Sequence, residues 1–210
     1  MGIGIGRAAS ALLMVSGWLG GSAGEVVAQP PEPAKTEEEA RAAYEAHQAD
    51  FDYLLGDWEF VRTRHSPDGT KNEARGYWSA RRSADGAIIT DEYRLLAPDG
   101  STQYVSTTVR AYSAAERRWN LIGVEPGQGY MQPGIAWKEG EDMRVDQTFG
   151  RPPDTTEWRI RYHNIRPDAF SWRADVSRDG GRTWVEGYQT LEARRIAPAP
   201  APASLTPRGK

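Results

Sequence analysis

Trp158-Arg159-Ile160-Arg161-Tyr162-His163 and Phe170-Ser171-Trp172-Arg173-Ala174-Asp175-Val176 are the two runs that decide the fold. In each, apolar side chains take every second place, and polar or charged ones fill the places between. A period of two belongs to a strand with one buried face and one wet face. The segment from Asn164 to Ala169 is too short for the helix that a parallel crossover needs, so the runs read as antiparallel neighbours.

The same texture extends in both directions. Trp58 to Phe60, Tyr77 to Arg81, Ile88 to Leu96, Tyr104 to Tyr112, Trp119 to Val124, Ile135 to Lys138, Met143 to Phe149 and Trp184 to Ala193 each read as a strand. Turn formers punctuate them: Ser66-Pro67-Asp68-Gly69, Ala84-Asp85-Gly86, Ala97-Pro98-Asp99-Gly100 and the Gly-rich Pro126 to Gly129. About ten strands at hairpin spacing predict an all-β fold. A continuous meander closes most simply into an antiparallel up-and-down barrel, because closure leaves no exposed edge.

Before the strands the texture differs. Arg7 and the weakly apolar run Ala8 to Leu19 read as a secretory leader, with Val26-Val27-Ala28 as the cleavage site. Residues 1–28 are therefore expected to be a signal peptide, and the mature protein periplasmic or secreted. A Pro-rich linker, 29–35, follows. Thr36 with Glu37, Glu38 and Glu39 forms a helix start with a capping box, so one short helix is expected over 36–50. The barrel is assigned to 51–196 and an Ala/Pro tail to 197–210. No stretch of the mature chain is long and apolar enough for a membrane-spanning helix.

The opening Phe51-Asp52-Tyr53-Leu54-Leu55-Gly56-Asp57-Trp58 resembles that of a group of uncharacterised bacterial domains with a lipocalin-like (calycin) barrel, entered through Phe-Asp-aromatic-Leu-x-Gly-x-Trp. The stretch from Tyr112 to Arg118-Trp119 resembles their central hairpin. Nitrobindins and fatty-acid-binding proteins share the broader fold. The resemblance implies a lipocalin-like barrel and carries no activity. It also suggests that Leu54 and Leu55 plug one end while Trp58 packs across the floor.

Chemistry is sparse. The chain has no cysteine, which excludes disulfides, thiolate metal sites and a Cys nucleophile. A net charge of -3 gives no general attraction to nucleic acid. The three histidines, His47, His65 and His163, lack metal-site spacing, and no Gly-x-Ser-x-Gly elbow or phosphate loop occurs. Ser177 to Trp184 matches the Asp-box of sialidase propellers, but a propeller repeats its blades, and this motif occurs once. It reads as a hairpin turn organised by Asp179.

The remaining signal is the composition of the strand faces, in a chain with 8 Trp, 9 Tyr and only 4 Phe. Trp158, Ile160 and Tyr162 share one face, and Arg159, Arg161 and His163 the other. An inward cationic face of Arg144, Arg159, Arg161 and Arg173 would make a carboxylate or phosphate site. The cost of burying unpaired arginine favours the aromatic face. A barrel that binds a small hydrophobic or amphipathic molecule, with no catalytic residue assigned, enzymatic activity left open and no cofactor, is expected. Its candidate ligand residues are Trp58, Tyr93, Trp119, Trp137, Trp158, Tyr162 and Trp172, and Tyr130 and Met131 are candidates for a lid. The alternatives are a non-catalytic, solid-cored interaction module, or a haem-binding, nitrobindin-like barrel enzyme using His163 as axial ligand.

Overall fold

The structure, a computed structural model, describes residues 29–198 apart from Pro126, Gln128 and Tyr130. The expected leader, the tail from 199 onward and the lid residue Tyr130 thus lie outside the described residues. Ten antiparallel strands form a closed barrel: β1 (Gly56–His65), β2 (Lys71–Arg82), β3 (Ile88–Leu96), β4 (Thr102–Ser113) and β5 (Arg118–Val124), then β6 (Met131–Glu139), β7 (Asp142–Arg151), β8 (Asp154–His163), β9 (Ala169–Ser177) and β10 (Val185–Ala197). Each strand pairs with its neighbours in sequence, and β10 returns to pair with β1. The up-and-down topology is the one the alternation predicts.

Most strands outrun their apolar centres. β1 runs on through Val61 to His65, and β2 begins at Lys71 rather than Tyr77, because Arg64 pairs with Asn72 and Thr63 with Glu73 in the ladder. Backbone hydrogen bonding carries a strand past the last residue that has a hydrophobic reason to be there. The turns follow their chemistry. Asp68, Asp85 and Asp99 each accept the backbone N–H two residues on, at 2.9–3.1 Å.

Helix α1 (Glu37–His47) is shorter than 36–50. Thr36 caps it by accepting the Glu39 N–H at 3.1 Å, and the Glu39 carboxylate turns back to the Lys35 N–H at 2.6 Å. Only Ala43 is buried, and the helix lies against β4 through stacking of His47 on Tyr112. Its thin apolar face suits this marginal seat. A single 3-10 turn, Asp52–Leu54, then leads into β1.

That turn closes one end of the barrel. Phe51 and Leu54 are fully buried, and Gly56 enters β1 at φ 123°, which a side chain would resist. Trp58 crosses the floor and donates its indole N–H to the Leu54 carbonyl at 2.8 Å. Arg195 of β10 lies over the Trp58 ring, 4.0 Å from its centroid. Its guanidinium also donates to the carbonyls of Tyr53, Leu55 and Pro167. One side chain thus ties the end of the last strand to the turn before the first, satisfying carbonyls that the 3-10 turn leaves open.

The aromatic faces of β8 and β9 point inward. Ile160, Tyr162, Phe170, Trp172, Ala174 and Val176 are buried, whereas Arg173 is exposed and Arg159 and Arg161 are half-buried on the outer wall. The outer arginines pair with acids, Arg144 with Glu139 and Arg161 with Asp142. The Asp-box is a turn. Asp179 accepts from the Arg182 and Thr183 N–H groups at 3.0 and 2.9 Å and from the Thr183 hydroxyl, and these bonds hold its carboxyl well below the usual carboxylate range. Trp184 packs under the guanidinium of Arg159, 3.9 Å from its ring centroid.

Candidate ligand-binding site

Above the floor the barrel is hollow. A cavity of about 550 Å³ occupies its upper half and opens beside the β1–β2, β3–β4, β5–β6, β7–β8 and β9–β10 loops. This is the size range of sites for drug-sized ligands.

Part of the lining is aromatic, with Tyr93 on β3 across the barrel from Trp158 on β8 and Trp172 on β9. Tyr93 stacks on Phe60 at 4.7 Å, and Trp158 stands between Phe149 at 5.0 Å and Trp172 at 6.4 Å. Tyr162 forms the base, in contact with Phe51 and Phe170. Four of the seven sequence-derived residues, Tyr93, Trp158, Tyr162 and Trp172, therefore meet on the cavity wall. Trp58 and Trp119 do not reach it. They belong to the packed floor, where Phe51 stands edge-on to Trp119 at 5.2 Å and Phe170 to Trp58 at 4.8 Å. Trp137 lies on the opposite face of β6 from Gln132, Gly134 and Ala136, which face the interior, so it is turned away from the cavity. Met131 is exposed at the rim.

The rest of the lining is polar, and sequence reasoning missed it. Arg62 and Arg110 are buried inside the barrel, each 4 % exposed, and Arg64 stands nearer the mouth. Arg110 of β4 forms an ion pair with Asp91 of β3, whose second oxygen accepts the Trp78 indole N–H at 2.7 Å. Glu125 accepts the Tyr104 hydroxyl at 2.6 Å and the Gln132 amide at 2.9 Å, clasping β4 to β6 across β5 at the rim. Gln147 donates to the Gln132 carbonyl at 3.0 Å. Burial pushes the Tyr93 and Tyr104 phenols up, so both are neutral hydroxyls at ordinary pH. A signal for the arginines existed. Counting by twos from Trp58 and Phe60 along β1 places Arg62 and Arg64 on the same inward face.

The cavity does not suit haem. None of the three histidines lines it: His163 sits at the end of β8 on the outer face, His65 contacts Thr190, and His47 bonds Asp50 on the helix. An axial-ligand role for His163 is thereby corrected. A solid core is also at odds with the open volume. No group of acids and histidines suited to a metal ion is present among the described residues.

No protein-family model and no curated protein matches the chain by sequence. Solved structures do match. The chain is similar to Rv2717c from M. tuberculosis at 15 % identity, covering 73 % of this chain and 96 % of that one with a TM-score of 0.52. It is also similar to the S-type phycobiliprotein lyase CPES from Guillardia theta at 14 % identity, covering 78 % and 98 %, again with a TM-score of 0.52. The chain folds as a lipocalin-like β-barrel. At such identities the likeness speaks for fold alone, and function has to be argued from the cavity.

Proposed function

We propose that this lipocalin-like barrel is a binding protein for a small amphipathic molecule, held in the upper half of the barrel. The observation that carries the reading is the cavity of about 550 Å³, whose lining combines the aromatic rings of Tyr93, Trp158 and Trp172 with hydrogen-bonding side chains. Aromatic rings offer apolar contact area, and a few fixed polar groups orient what binds there. The S-type phycobiliprotein lyase is a barrel of the same fold that bears the name of an enzyme, so an enzymatic role on this scaffold is the second reading. Residues 1–28 read as a signal peptide in sequence, which favours export and a barrel working in the periplasm or outside the cell.

Native mass spectrometry of the protein purified from its own compartment, before and after denaturation, tests the binding reading. An added mass that denaturation removes supports it and gives the ligand's size. A clean apo mass together with no quenching of tryptophan fluorescence by any amphipathic probe refutes it. N-terminal sequencing of the same sample tests export, with Gln29 expected as the first residue.

A further inference from the structure

The charges inside the cavity do not balance. Three arginines, Arg62, Arg64 and Arg110, face two carboxylates, Asp91 and Glu125. Asp91 is committed to Arg110 and Trp78. Glu125 is committed to Tyr104 and Gln132, four strands round the wall from β1. Arg62 has no carboxylate partner among the described residues. One Nη donates to the Asn72 side chain at 3.1 Å, and its Nε has no partner at all, although the side chain is only 4 % exposed. Beside it stands another cation, Arg64, which is held by Gln189 at 3.3 Å.

A buried guanidinium with an idle N–H is an expensive group to keep. Hydrophobic residues of similar size would fill the same place at lower cost. The side chain, however, lines a cavity with room for a ligand, and the surplus inside that cavity is one positive charge. We propose that the ligand is an organic monoanion, a carboxylate with an apolar body. Its head group pairs with Arg62, Arg64 closes over it from the mouth, and its body lies along Trp158 and Trp172. The inference rests on the binding reading above and names the class of ligand for that site. A carboxylate supplies two acceptor oxygens in the plane of the guanidinium fork, which a neutral headgroup does not.

The test uses a matched pair of probes, dansyl-undecanoic acid and its methyl ester, titrated by fluorescence into the whole protein. The acid is expected to bind at least about tenfold tighter than the ester, the scale of one charge-assisted hydrogen-bonded pair. Arg62→Gln is expected to erase that preference while leaving the ester's affinity within about twofold, since only the charged contact is removed. Arg64→Gln, at the rim where folding is not at stake, reduces the preference by a smaller factor. Should Arg62→Gln fail to fold, the wild-type ratio and Arg64→Gln still decide. Equal binding of acid and ester overturns the anion assignment and leaves the cavity as a neutral site. Failure of both probes to bind overturns the binding reading and this inference with it.

Discussion

The two halves of this barrel are built from the same ten strands and obey different rules. In the lower half, rings interlock edge to face and Arg195 answers the carbonyls of the 3-10 turn. In the upper half a cavity is left open, an ion pair is buried, and an arginine keeps an unused donor. Folding needs the first arrangement and gains little from the second. The contrast locates function: the buried charged side chains Arg62, Asp91 and Arg110 all line the empty space.

Four measurements would break or sharpen this contrast. Trp58→Ala removes the floor and is expected to cost about 3–5 kcal/mol, read as a lower denaturation midpoint in urea. If the midpoint barely moves, the lower half is not the stability element. Arg110→Met strands the Asp91 carboxylate in the interior and is expected to cost about 3 kcal/mol. Adding Asp91→Leu should recover most of that loss, whereas additive losses would mean the pair is not coupled.

Arg62→Met should behave oppositely. Replacing an unpaired buried cation with an apolar chain of similar reach is expected to leave stability unchanged or to raise it by about 1 kcal/mol. A loss above that would give Arg62 a structural job. The smallest effect concerns Asp179, whose folded-state pKa lies below its ordinary value because of its bonds to Thr183, Ser177 and Arg182. Its stabilisation is complete above the ordinary carboxylate range and disappears as pH falls through the folded value. Amide exchange at Arg182 and Thr183 should therefore speed up in acid while that of Tyr162 stays slow.

The sequence made the barrel legible because its signal is repeated. Ten alternating runs and five Pro/Gly/Asp-rich turns report the same topology, and an error in any one of them changes little. The cavity was legible only in its aromatic part. Tyr93, Trp158, Tyr162 and Trp172 could be found because bulk and alternation point the same way. Trp58, Trp119 and Trp137 show the limit of that argument: an indole looks the same in sequence whether it fills the floor, lines a cavity or packs on an outer wall. The polar part was hidden by a sound premise, that unpaired arginine is excluded from interiors. On β8 and β9 the premise holds, and Arg173 is outside. On β1 it fails: Arg62 lies beyond the apolar centre of its strand, where the alternation from Phe60 and the register with Ala74 and Leu191 both turn it inward.

The pairing of β1 with β10 also sets an order of events. Arg64 meets Gln189 across 125 residues of chain, and Arg195, which finishes the floor, belongs to the last strand made. Until β10 has left the ribosome, β1 and β9 are both bare edges and the turn beneath Trp58 is uncapped. Contacts so distant in sequence form late and slowly. The barrel therefore cannot close before β10 is in place, and the moment of closure is also the moment at which the chain first has an inside.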